Sequence, residues 1–562
     1  MSGHKIINIG SPGDPFQETL SQELGISKIL SQILFNRGIR SLLEAQKFLK
    51  TNLDQLLDPF LFKDMAVAVE LIRKACRNKD KVMIFGDYDV DGITSVAVLK
   101  NTLSGLGLEA EYYLPHRVKE GYGLTRNIAS VAIEKKIKLL ITVDCGISSF
   151  EQVKELREAG IEVIITDHHE PSTDQLPSAS AIINPKVKNS GYPFRDLAGV
   201  GVAYKLSQAL AKDNLAEELD LVCLGTIADV VGLVNENRVI AKFGLEQLSR
   251  TKRPGLQALI QSSRIKDKVI SSTFVSYILA PRINASGRMD TSETSLKLLL
   301  SQDRLEADEI AASIESHNRQ RQKIEAKILD EALALIDKEV NFKEHKIIVV
   351  AAEDWHHGVL GIVASKLADR FYRPTILISL GREMCKGSGR SIKNFHLFHA
   401  LVECGEFLQG FGGHSHAVGL QIYQKNISDF RKKINQLASQ QLKIEDLLPS
   451  LDIDMELKLE DISSELVREL SLLAPFGSGN PEPLFFTRGL QIKGQPQVLS
   501  RDTLKFWVSD GAITFAAIGF GMGSFRDSLI SANSVDLVYN PQIDTWVGDD
   551  AVILGVKDIF FK

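Results

Sequence analysis

Three aspartates, Asp87, Asp89 and Asp91, alternate with other residues in the segment "IFGDYDVDGIT", and a glycine follows the third. This is the opening of an EF-hand calcium loop, D-x-[DN]-x-[DN]-G. The twelfth position of such a loop carries a bidentate glutamate, but here it is Val98. The apolar residues 82–85 before the loop indicate a buried strand and not an incoming helix. A calcium sensor is therefore excluded, and the carboxylates must serve another chemistry.

More acids, and two histidines, follow other predicted strands. Asp144 ends the apolar run in "TVDCGIS", and Asp167, His168 and His169 follow the next strand in "TDHHEP". Asp229 lies among apolar residues in "LGTIADVVGL", where an unpaired charge would be costly. Each acid alone is compatible with a turn or a helix N-cap. Gathered at one edge of a sheet, however, they would repel each other without a cation, so we expect a metal cluster.

The donor types indicate which metal this cluster would bind. Carboxylates with one or two imidazoles suit Mn²⁺ or Mg²⁺ better than Zn²⁺, which prefers thiolates and histidines. There are enough donors for two ions. Two ions about 3.5–4 Å apart can clamp the attacking and leaving oxygens of a phosphoryl transfer. The expected reaction is metal-assisted hydrolysis of a phosphoester.

The predicted elements would bring these residues together. Strands at about 81–85, 109–115, 137–144 and 160–167 alternate with helices. This alternation is typical of an α/β fold with a doubly wound parallel sheet. In such sheets, functional groups collect beyond the carboxyl ends of the strands, where the strand order reverses.

The rest of the chain predicts three further parts. A long connector helix is expected from about residue 305 to 340, and a second α/β unit begins at "KIIVVAAE". Short alternating segments after about residue 451 favour a C-terminal β-barrel of the oligonucleotide-binding (OB) kind. The predicted division is 1–78 (N-terminal helical segment), 79–300 (catalytic domain), 301–341 (connector helix), 342–445 (second α/β domain) and 446–562 (OB-like barrel).

The composition is that of an ordinary globular protein, with 562 residues, of which 44% are hydrophobic and 24% charged. A net charge of −5 counts only mildly against nucleic-acid binding, which depends on a local basic stripe. Five scattered cysteines without a C-x-x-C pair favour a reducing compartment, and we expect the cytoplasm. No run of about 18 apolar residues predicts a membrane span.

The segments "DYDVDG", "VDCGIS", "DHHEP" and "ADVV" resemble, in order and spacing, the DHH phosphoesterase superfamily. The chain after about residue 25 resembles its RecJ branch of single-strand-specific 5′-exonucleases. The segments "GVLGIVASKLADRFYRPTILIS", "KGSGRS" and "GFGGHSHAVG" are similar to the DHH-associated domain. The segment "LLAPFGSGNPEPLF" is similar to the lead into the OB-like barrel of this branch.

This resemblance implies roles for individual residues. The implied metal ligands are Asp89, Asp91, Asp144, His168 and Asp229. For Asp87 two roles stay open, a ligand and a partner that orients one. His169 is the implied donor to the charge that develops on the reacting phosphate. The implied phosphate- and DNA-binding residues are Arg117, Arg288, Ser388, Gly389, Arg390, Gly412, Gly413 and His414.

The glycines of "KGSGRS" and "GFGGHSHAVG" predict a loop that cradles phosphate, in which backbone amides approach the anion. In the barrel, Phe506, Trp507 and Phe515 are candidates for base stacking. Because strand residues alternate between faces, Phe506 and Trp507 cannot both point outward. The choice among the three stays open.

The implied function is digestion of single-stranded DNA from the 5′ end to mononucleotides during recombination and repair. A single-strand-binding protein and a helicase are the implied partners, and we expect a monomer. One alternative is a superfamily enzyme that acts on pyrophosphate, cyclic dinucleotides or short oligonucleotides. The other is a non-catalytic single-stranded-DNA-binding repair factor. The barrel and the connector helix favour a long polymer, and the complete set of acids favours catalysis.

Overall fold

The computed structural model describes residues 5–10, 15–117, 119–171, 173–264, 269–544, 548 and 550–562. They form two compact units. The first contains Asp58–Val231 and Phe243–Pro449, and the second contains Lys5–Leu57, Gly232–Lys242 and Ser450–Lys562. Within this described part of the chain, none of the helices combines the length and apolar character that a membrane crossing requires.

A parallel five-stranded sheet organises the first half of the first unit. Its strands, in spatial order, are Ala110–Tyr113, Val82–Gly86, Leu139–Val143, Glu162–Thr166 and Ala181–Ile183. The chain leaves the second of these for the edge strand and then returns on its other side. The strand order therefore reverses between Val82–Gly86 and Leu139–Val143, which is the ligand-binding point of doubly wound sheets.

Helices cover both faces of this sheet. On one face, Met83, Phe85 and Leu140 share an apolar core with helices Ile128–Glu134 and Phe150–Glu158. The opposite face carries Val90–Gly105 and Gly199–Ala211. Both central strands are buried throughout, as expected for parallel strands with two covered faces. The other helices of the region are Met65–Asn78, Leu219–Ala228, Pro254–Ser262, Ser272–Phe274, the π-helix Val275–Leu279, Ala280–Met289 and Glu293–Leu300. Helix Asn235–Ser249 belongs to the second unit up to Lys242 and to the first from Phe243.

The predicted connector is confirmed as one helix of 36 residues, Arg304–Glu339, capped by the side chain of Asp303. A second five-stranded sheet follows. In spatial order its strands are Leu408–Gly413, Ala417–Ile422, Cys385–Arg390, Thr375–Leu380 and Ile348–Glu353. Only the last two are parallel to each other. The associated helices are His357–Phe371, Leu397–Glu403 and Ile427–Gln441.

The second unit contains the predicted barrel. Its ring runs Phe485–Leu499, Thr503–Ser509, Thr514–Gly519, Val552–Phe561 and Val535–Ile543, and the last strand pairs with the first. Thr514–Gly519 and Val552–Phe561 are parallel, and the other ring pairs are antiparallel. A closed five-stranded ring of this kind confirms the OB-like prediction. The unit also contains the strand Met455–Glu456 and the helices Ser464–Leu470 and Arg526–Ser531.

The N-terminal segment does not form a unit of its own. Strand Ile6–Ile9 pairs with Ser450–Ile453, and helices Pro15–Leu24, Lys28–Asn36 and Leu42–Leu49 contribute to the core of the barrel unit. The predicted segment 1–78 is thus divided after Leu57 and is not purely helical, while its residues 1–4 and 11–14 lie outside the described residues. The predicted division into five domains remains a prediction.

Candidate metal centre

The segment with alternating aspartates turns from strand Val82–Gly86 into helix Val90–Gly105. Asp89 is the N-cap of this helix, and its Oδ1 accepts the backbone N–H groups of Asp91 (3.0 Å) and Gly92 (3.3 Å). A Cβ on Gly92 would lie 2.4 Å from the carbonyl oxygen of Asp87, so only glycine fits this turn. The helix cap therefore uses one oxygen of Asp89 and leaves the other available.

Asp91 is held by a second helix. Both of its carboxylate oxygens accept backbone N–H groups at the start of Gly199–Ala211, from Gly199 and Val200, each at 2.7 Å. The positive end of that helix dipole faces the carboxylate. A Cβ on Gly199 would lie 2.4 Å from Asp144 Oδ1. The absence of a side chain at Gly199 thus lets this helix approach two acids at once.

Asp144 and Asp229 complete the acidic cluster from two other element ends. Asp144 follows strand Leu139–Val143 with a left-handed backbone (φ 61°) and is 3% exposed. Asp229 ends helix Leu219–Ala228, and Val230 after it also has a positive φ of 62°. A β-branched residue in that conformation is strained. The backbone is therefore in an unfavourable conformation at or next to both carboxylates.

His168 lies at the centre of the acids. Its Nε2 is 3.2 Å from Asp144 Oδ1, 3.7 Å from Asp229 Oδ2 and 3.8 Å from Asp91 Oδ2. Three sets of donor atoms have mutual distances within 4.8 Å: Asp91, His168 and Asp229; Asp87, Asp89 and Asp144; and Asp144, His168 and His169. The predicted ligands all fall in the first two sets, so they converge.

The electrostatics show what this arrangement costs in the absence of a cation. Burial, and then the charge of Asp89, raise the pKa of Asp91 to about 7. Burial and neighbouring acids raise the pKa of Asp229 to about 9 and place those of Asp87 and Asp144 well above their ordinary range. Burial lowers the pKa of His168 to about 3, so its imidazole is neutral and can act as a ligand.

Unpartnered buried atoms test whether a divalent ion fits. Asp87 Oδ1, Asp144 Oδ1 and His168 Nε2 are buried and form no hydrogen bond within the described residues. Buried polar atoms are normally satisfied, so these need an explanation. Carboxylate oxygens and one neutral imidazole form a donor set for Mn²⁺ or Mg²⁺. The residues fit such ions.

His169 is fixed beside the cluster by Asp167 and Tyr122. Its Nδ1 lies 2.8 Å from Asp167 Oδ1 and 2.9 Å from the Tyr122 hydroxyl. Asp167, fully buried, also accepts the backbone N–H groups of His168, His169 and Ile147. Burial by itself would lower the pKa of His169, but the hydrogen bond and charge of Asp167 outweigh it and raise that pKa. Sequence reasoning missed both partners, although Asp167 stands directly before the histidine pair.

Three predicted phosphate-binding arginines also come together. The Arg117 guanidinium lies 4.7 Å from the centre of the Tyr88 ring, and Arg288 Nη1 donates to the carbonyl of Gly358 at 2.7 Å. Burial, followed by the charges of Arg117, Arg321 and Arg390, depresses the pKa of Arg288. Among the described residues, no carboxylate lies within ion-pairing distance of Arg117, Arg288 or Arg390. Grouped cations without acids are suited to a polyanion.

The prediction of a glycine loop at "KGSGRS" is wrong. Cys385–Arg390 is a central strand with neighbours on both sides, so its ladders engage the backbone of Gly389. A Cβ on Gly389 would lie 2.8 Å from Val418 Cγ2, which gives this glycine a packing role. Ser388 and Arg390 alternate onto the opposite face, where they lie against the helix containing Gly361 and remain partly exposed. The sequence missed this strand because glycines hide strand periodicity.

The residues of "GFGGHSH" end an edge strand. Gly413 has a φ of 130°, and a Cβ there would lie 2.2 Å from the carbonyl of Ala417, whereas Gly412 has open space around it. The ring of His414 lies 6.3 Å from that of His169 and nearly parallel to it. The structure thus places the His414 ring beside the His169 ring, as expected for a group near the reacting phosphate.

The candidate stacking residues of the barrel differ in exposure. Phe506 is fully buried and Phe515 is partly buried against the barrel core, while Trp507 is 46% exposed on the outer face. In register, Trp507 lies between Lys493 and Ala516 on the neighbouring strands. Of the three, Trp507 is the one whose ring is available to a base.

The chain matches three family models in sequence order: the DHH family, N-terminal domain, over residues 81–226; the DHHA1 domain over 344–440; and the RecJ OB domain over 453–558. Together with a carboxylate–histidine cluster at the switch point of a parallel sheet, these matches define the class: a DHH-type phosphoesterase with an added OB barrel.

Similar proteins place the chain within this class. It is 38% identical over 553 residues to the single-stranded-DNA-specific exonuclease RecJ of Bacillus subtilis, covering 98% of this chain and 70% of the relative. It is 33% identical over 558 residues to the RecJ of Dickeya dadantii, covering 95% and 96%. The crystal structure of RecJ in complex with Mn²⁺ from Thermus thermophilus aligns with a TM-score of 0.85 at 27% identity, over 99% of this chain and 80% of that one. A second structure of that protein is a complex with Mg²⁺ (TM-score 0.78, 26% identity, 99% and 78% covered). The chain belongs to the RecJ family.

Proposed function

We propose that this protein is a metal-dependent exonuclease that hydrolyses single-stranded DNA from the 5′ end and releases mononucleotides. The observation that carries the proposal is the complete, largely buried cluster of five aspartates and His168 in a chain of the RecJ family; several of its carboxylate and imidazole atoms form no hydrogen bond among the described residues. A binding factor that had lost catalysis would have no reason to keep a cluster so costly to bury.

Two Mn²⁺ or Mg²⁺ ions fit the two donor sets. Asp91, His168 and Asp229 would hold one, and Asp87, Asp89 and Asp144 the other. Bound there, divalent ions supply Lewis acidity, because they lower the pKa of water and neutralise charge on phosphate oxygens. The neutral His168 and the unpartnered oxygens provide the donors, and the N-terminus of helix Gly199–Ala211 holds Asp91 in place.

The surrounding residues act on the phosphate. Burial alone would lower the pKa of His169, but the Asp167 carboxylate raises it. His169 can therefore donate a proton or a hydrogen bond to the phosphate as negative charge develops. Arg117, Arg288 and Arg390 hold the DNA phosphates near the cluster, since no carboxylate competes for them among the described residues. Ser388 adds a hydroxyl beside Arg390, and His414 adds an imidazole beside His169.

The proposal extends to the biological setting. We propose that it acts in recombination and repair, with a single-strand-binding protein and a helicase as partners, as the resemblance to its family implies. We also propose a monomeric enzyme in the cytoplasm. Trp507, with its exposed ring beside Lys493, would stack on the bases of the bound strand.

The test uses one single-stranded oligonucleotide labelled at the 5′ end in one tube and at the 3′ end in another, with Mn²⁺ or Mg²⁺. We expect a labelled mononucleotide to appear at once from the 5′ label, and no cleavage with EDTA. The variant Asp144→Ala should lose roughly 100-fold or more in rate. The matched control is Asp174→Ala, an exposed aspartate of the loop after the histidine pair, which should keep the wild-type rate.

Different outcomes distinguish the alternatives. Release from the 3′ label first would overturn the polarity. Cleavage only of di- to pentanucleotides or cyclic dinucleotides would identify a small-substrate phosphodiesterase. Intact DNA in every tube, with retained single-stranded-DNA binding, would identify a binding factor.

A further inference from the structure

A cavity of about 210 Å³ lies beside His169. Three loops enclose it, each leaving the carboxyl end of a strand of the parallel sheet, and His414 of the second sheet also lines it. One nitrogen of His169 lies within 4.8 Å of donor atoms of Asp144 and His168. Any group in this cavity is therefore next to the reacting phosphate.

One part of the lining is aromatic and apolar. Tyr122 is 49% exposed, and its hydroxyl is anchored at 2.9 Å from His169 Nδ1 and 3.4 Å from the carbonyl of Asp144. Leu124 and Ile147, both nearly buried, complete this part. An anchored aromatic ring with aliphatic neighbours is a surface on which a planar heterocycle can stack without ordering cost.

The other part of the lining is polar and unengaged. Ser149 and Gln152 face the cavity, and neither side chain forms a hydrogen bond with the residues that the structure describes. A glutamine amide offers a donor and an acceptor on one planar group, and a serine hydroxyl offers both on one atom. Such groups can adapt to the edge of any nucleobase, as an enzyme without sequence preference requires.

The charges that line the cavity and its volume indicate which class of ligand it can bind. The described residues that line the cavity include no lysine or arginine, but they include the acidic Glu170. Because nothing there offsets a negative charge, a phosphate is disfavoured. The arginines form a separate group around Arg288. A volume of about 210 Å³ is below the roughly 300–1,000 Å³ of sites for drug-sized ligands, so it suits one ring system.

We propose that this cavity binds the base of the 5′-terminal nucleotide, the one that is cut off. Tyr122 stacks on the base, and Gln152 and Ser149 bind its edge. This assignment rests on the proposed exonuclease function. It makes the cavity a positioning site, because a terminal base held there fixes the next phosphodiester against the metal cluster.

The test compares two oligonucleotides that differ only in whether the 5′-terminal nucleotide carries a base. We expect the abasic terminus to lower kcat/KM about 10-fold or more, mainly through KM. Gln152→Ala should lower kcat/KM about 5- to 10-fold on the normal oligonucleotide and leave the abasic one unchanged. Glu155→Ala, an exposed residue of the same helix that does not line the cavity, is the matched control and should change neither.

Equal kcat/KM on both oligonucleotides would overturn the assignment, and so would a Gln152→Ala effect of the same size on both.

A second experiment measures ligand binding by calorimetry and needs no hydrolysis. Deoxythymidine 5′-monophosphate should bind at least 10-fold more tightly than deoxyribose 5-phosphate, and Gln152→Ala should reduce the difference. If no oligonucleotide is cleaved but this preference is present, the exonuclease proposal fails, and the cavity is a base-binding site without the positioning role. If cleavage occurs but the preference is absent, the cavity assignment fails alone.

Discussion

Gly199 makes the tightest approach to the acidic cluster, and replacing it tests whether the helix placement matters. A Cβ there would lie 2.4 Å from Asp144 Oδ1 and 2.6 Å from Asp144 Cβ, about 1 Å short of the 3.4 Å at which ordinary contact begins. The neighbouring atoms belong to a buried aspartate that cannot swing away. Gly199→Ala must therefore displace either Asp144 or the helix start that holds Asp91.

The magnitudes follow from this displacement. Overpacking a buried site costs about 1–3 kcal/mol of folding free energy. A disturbed support of a metal ligand typically costs about 10–100-fold in metal affinity. A shift of about 1 Å in a catalytic group costs on the order of 100-fold in rate. We expect Gly199→Ala to fold, to bind Mn²⁺ at least about 10-fold more weakly and to cleave DNA about 100-fold more slowly.

The assay measures denaturant unfolding, Mn²⁺ binding by calorimetry and the initial rate on a 5′-labelled oligonucleotide. Gly201→Ala, two residues along the same helix, is the matched control. Its Cβ would first meet Leu197 Cδ2 at 3.2 Å, the end of a flexible side chain. Wild-type Mn²⁺ affinity and rate in Gly199→Ala would refute the reasoning. Equal losses in both variants would show that the helix merely tolerates no added volume.

Three further predictions concern the cluster and the barrel. Asp144→Asn should raise the melting temperature of the metal-free protein, because it replaces a carboxyl whose ionisation burial and the neighbouring acids oppose. It should also abolish the rise that Mn²⁺ causes in the wild type, and a scan with and without EDTA measures both. The metal-free protein should lose stability between pH 6.5 and 9. In that range the folded protein still holds the proton of Asp229, whose pKa is about 9, while the unfolded chain is already ionised, and His168 titrates only below it. The raised pKa values of Asp87, Asp91 and Asp144 act in the same direction, so Asp229→Asn should reduce this slope in urea unfolding without removing it, and an unchanged slope would contradict the expectation. Trp507→Ala should weaken binding of single-stranded DNA by about 1–3 kcal/mol in anisotropy titrations, and unchanged affinity would show that the ring does not stack on bases.

The parts of the site that sequence reasoning located share a local signal. Asp87, Asp144 and Asp167 each follow an apolar run, and short apolar runs that alternate with helices are typical of a parallel sheet. Carboxyl ends of parallel strands meet at one edge, so Asp87, Asp144 and His168 could be placed together without coordinates. The confirmed connector helix and barrel rest on equally local patterns of length and alternation.

The parts that were missed depend on contacts between residues far apart in the chain. The hydrogen bonds from Gly199 and Val200 to Asp91 join residues more than 100 positions apart, and no periodicity reveals which helix start will face which acid. The strand Cys385–Arg390 was hidden because two of its residues are glycines, for which strand and turn are equally open. Likewise, the helices after Pro15 are amphipathic in sequence, but only the structure shows that the barrel core receives their apolar faces.

The cluster also shows how a protein can hold several acids in place before a metal arrives. Asp89 and Asp91 rest on backbone N–H groups at the starts of two helices, where amide dipoles partly neutralise a carboxylate. Asp87 Oδ1 and Asp144 Oδ1, in contrast, have no donor among the described residues. The backbone thus stabilises Asp89 and Asp91 and leaves two carboxylate oxygens available for the proposed ions. Since five carboxylates carry one charge more than two divalent ions can cancel, the loaded cluster stays close to neutral, and the anionic DNA can approach it.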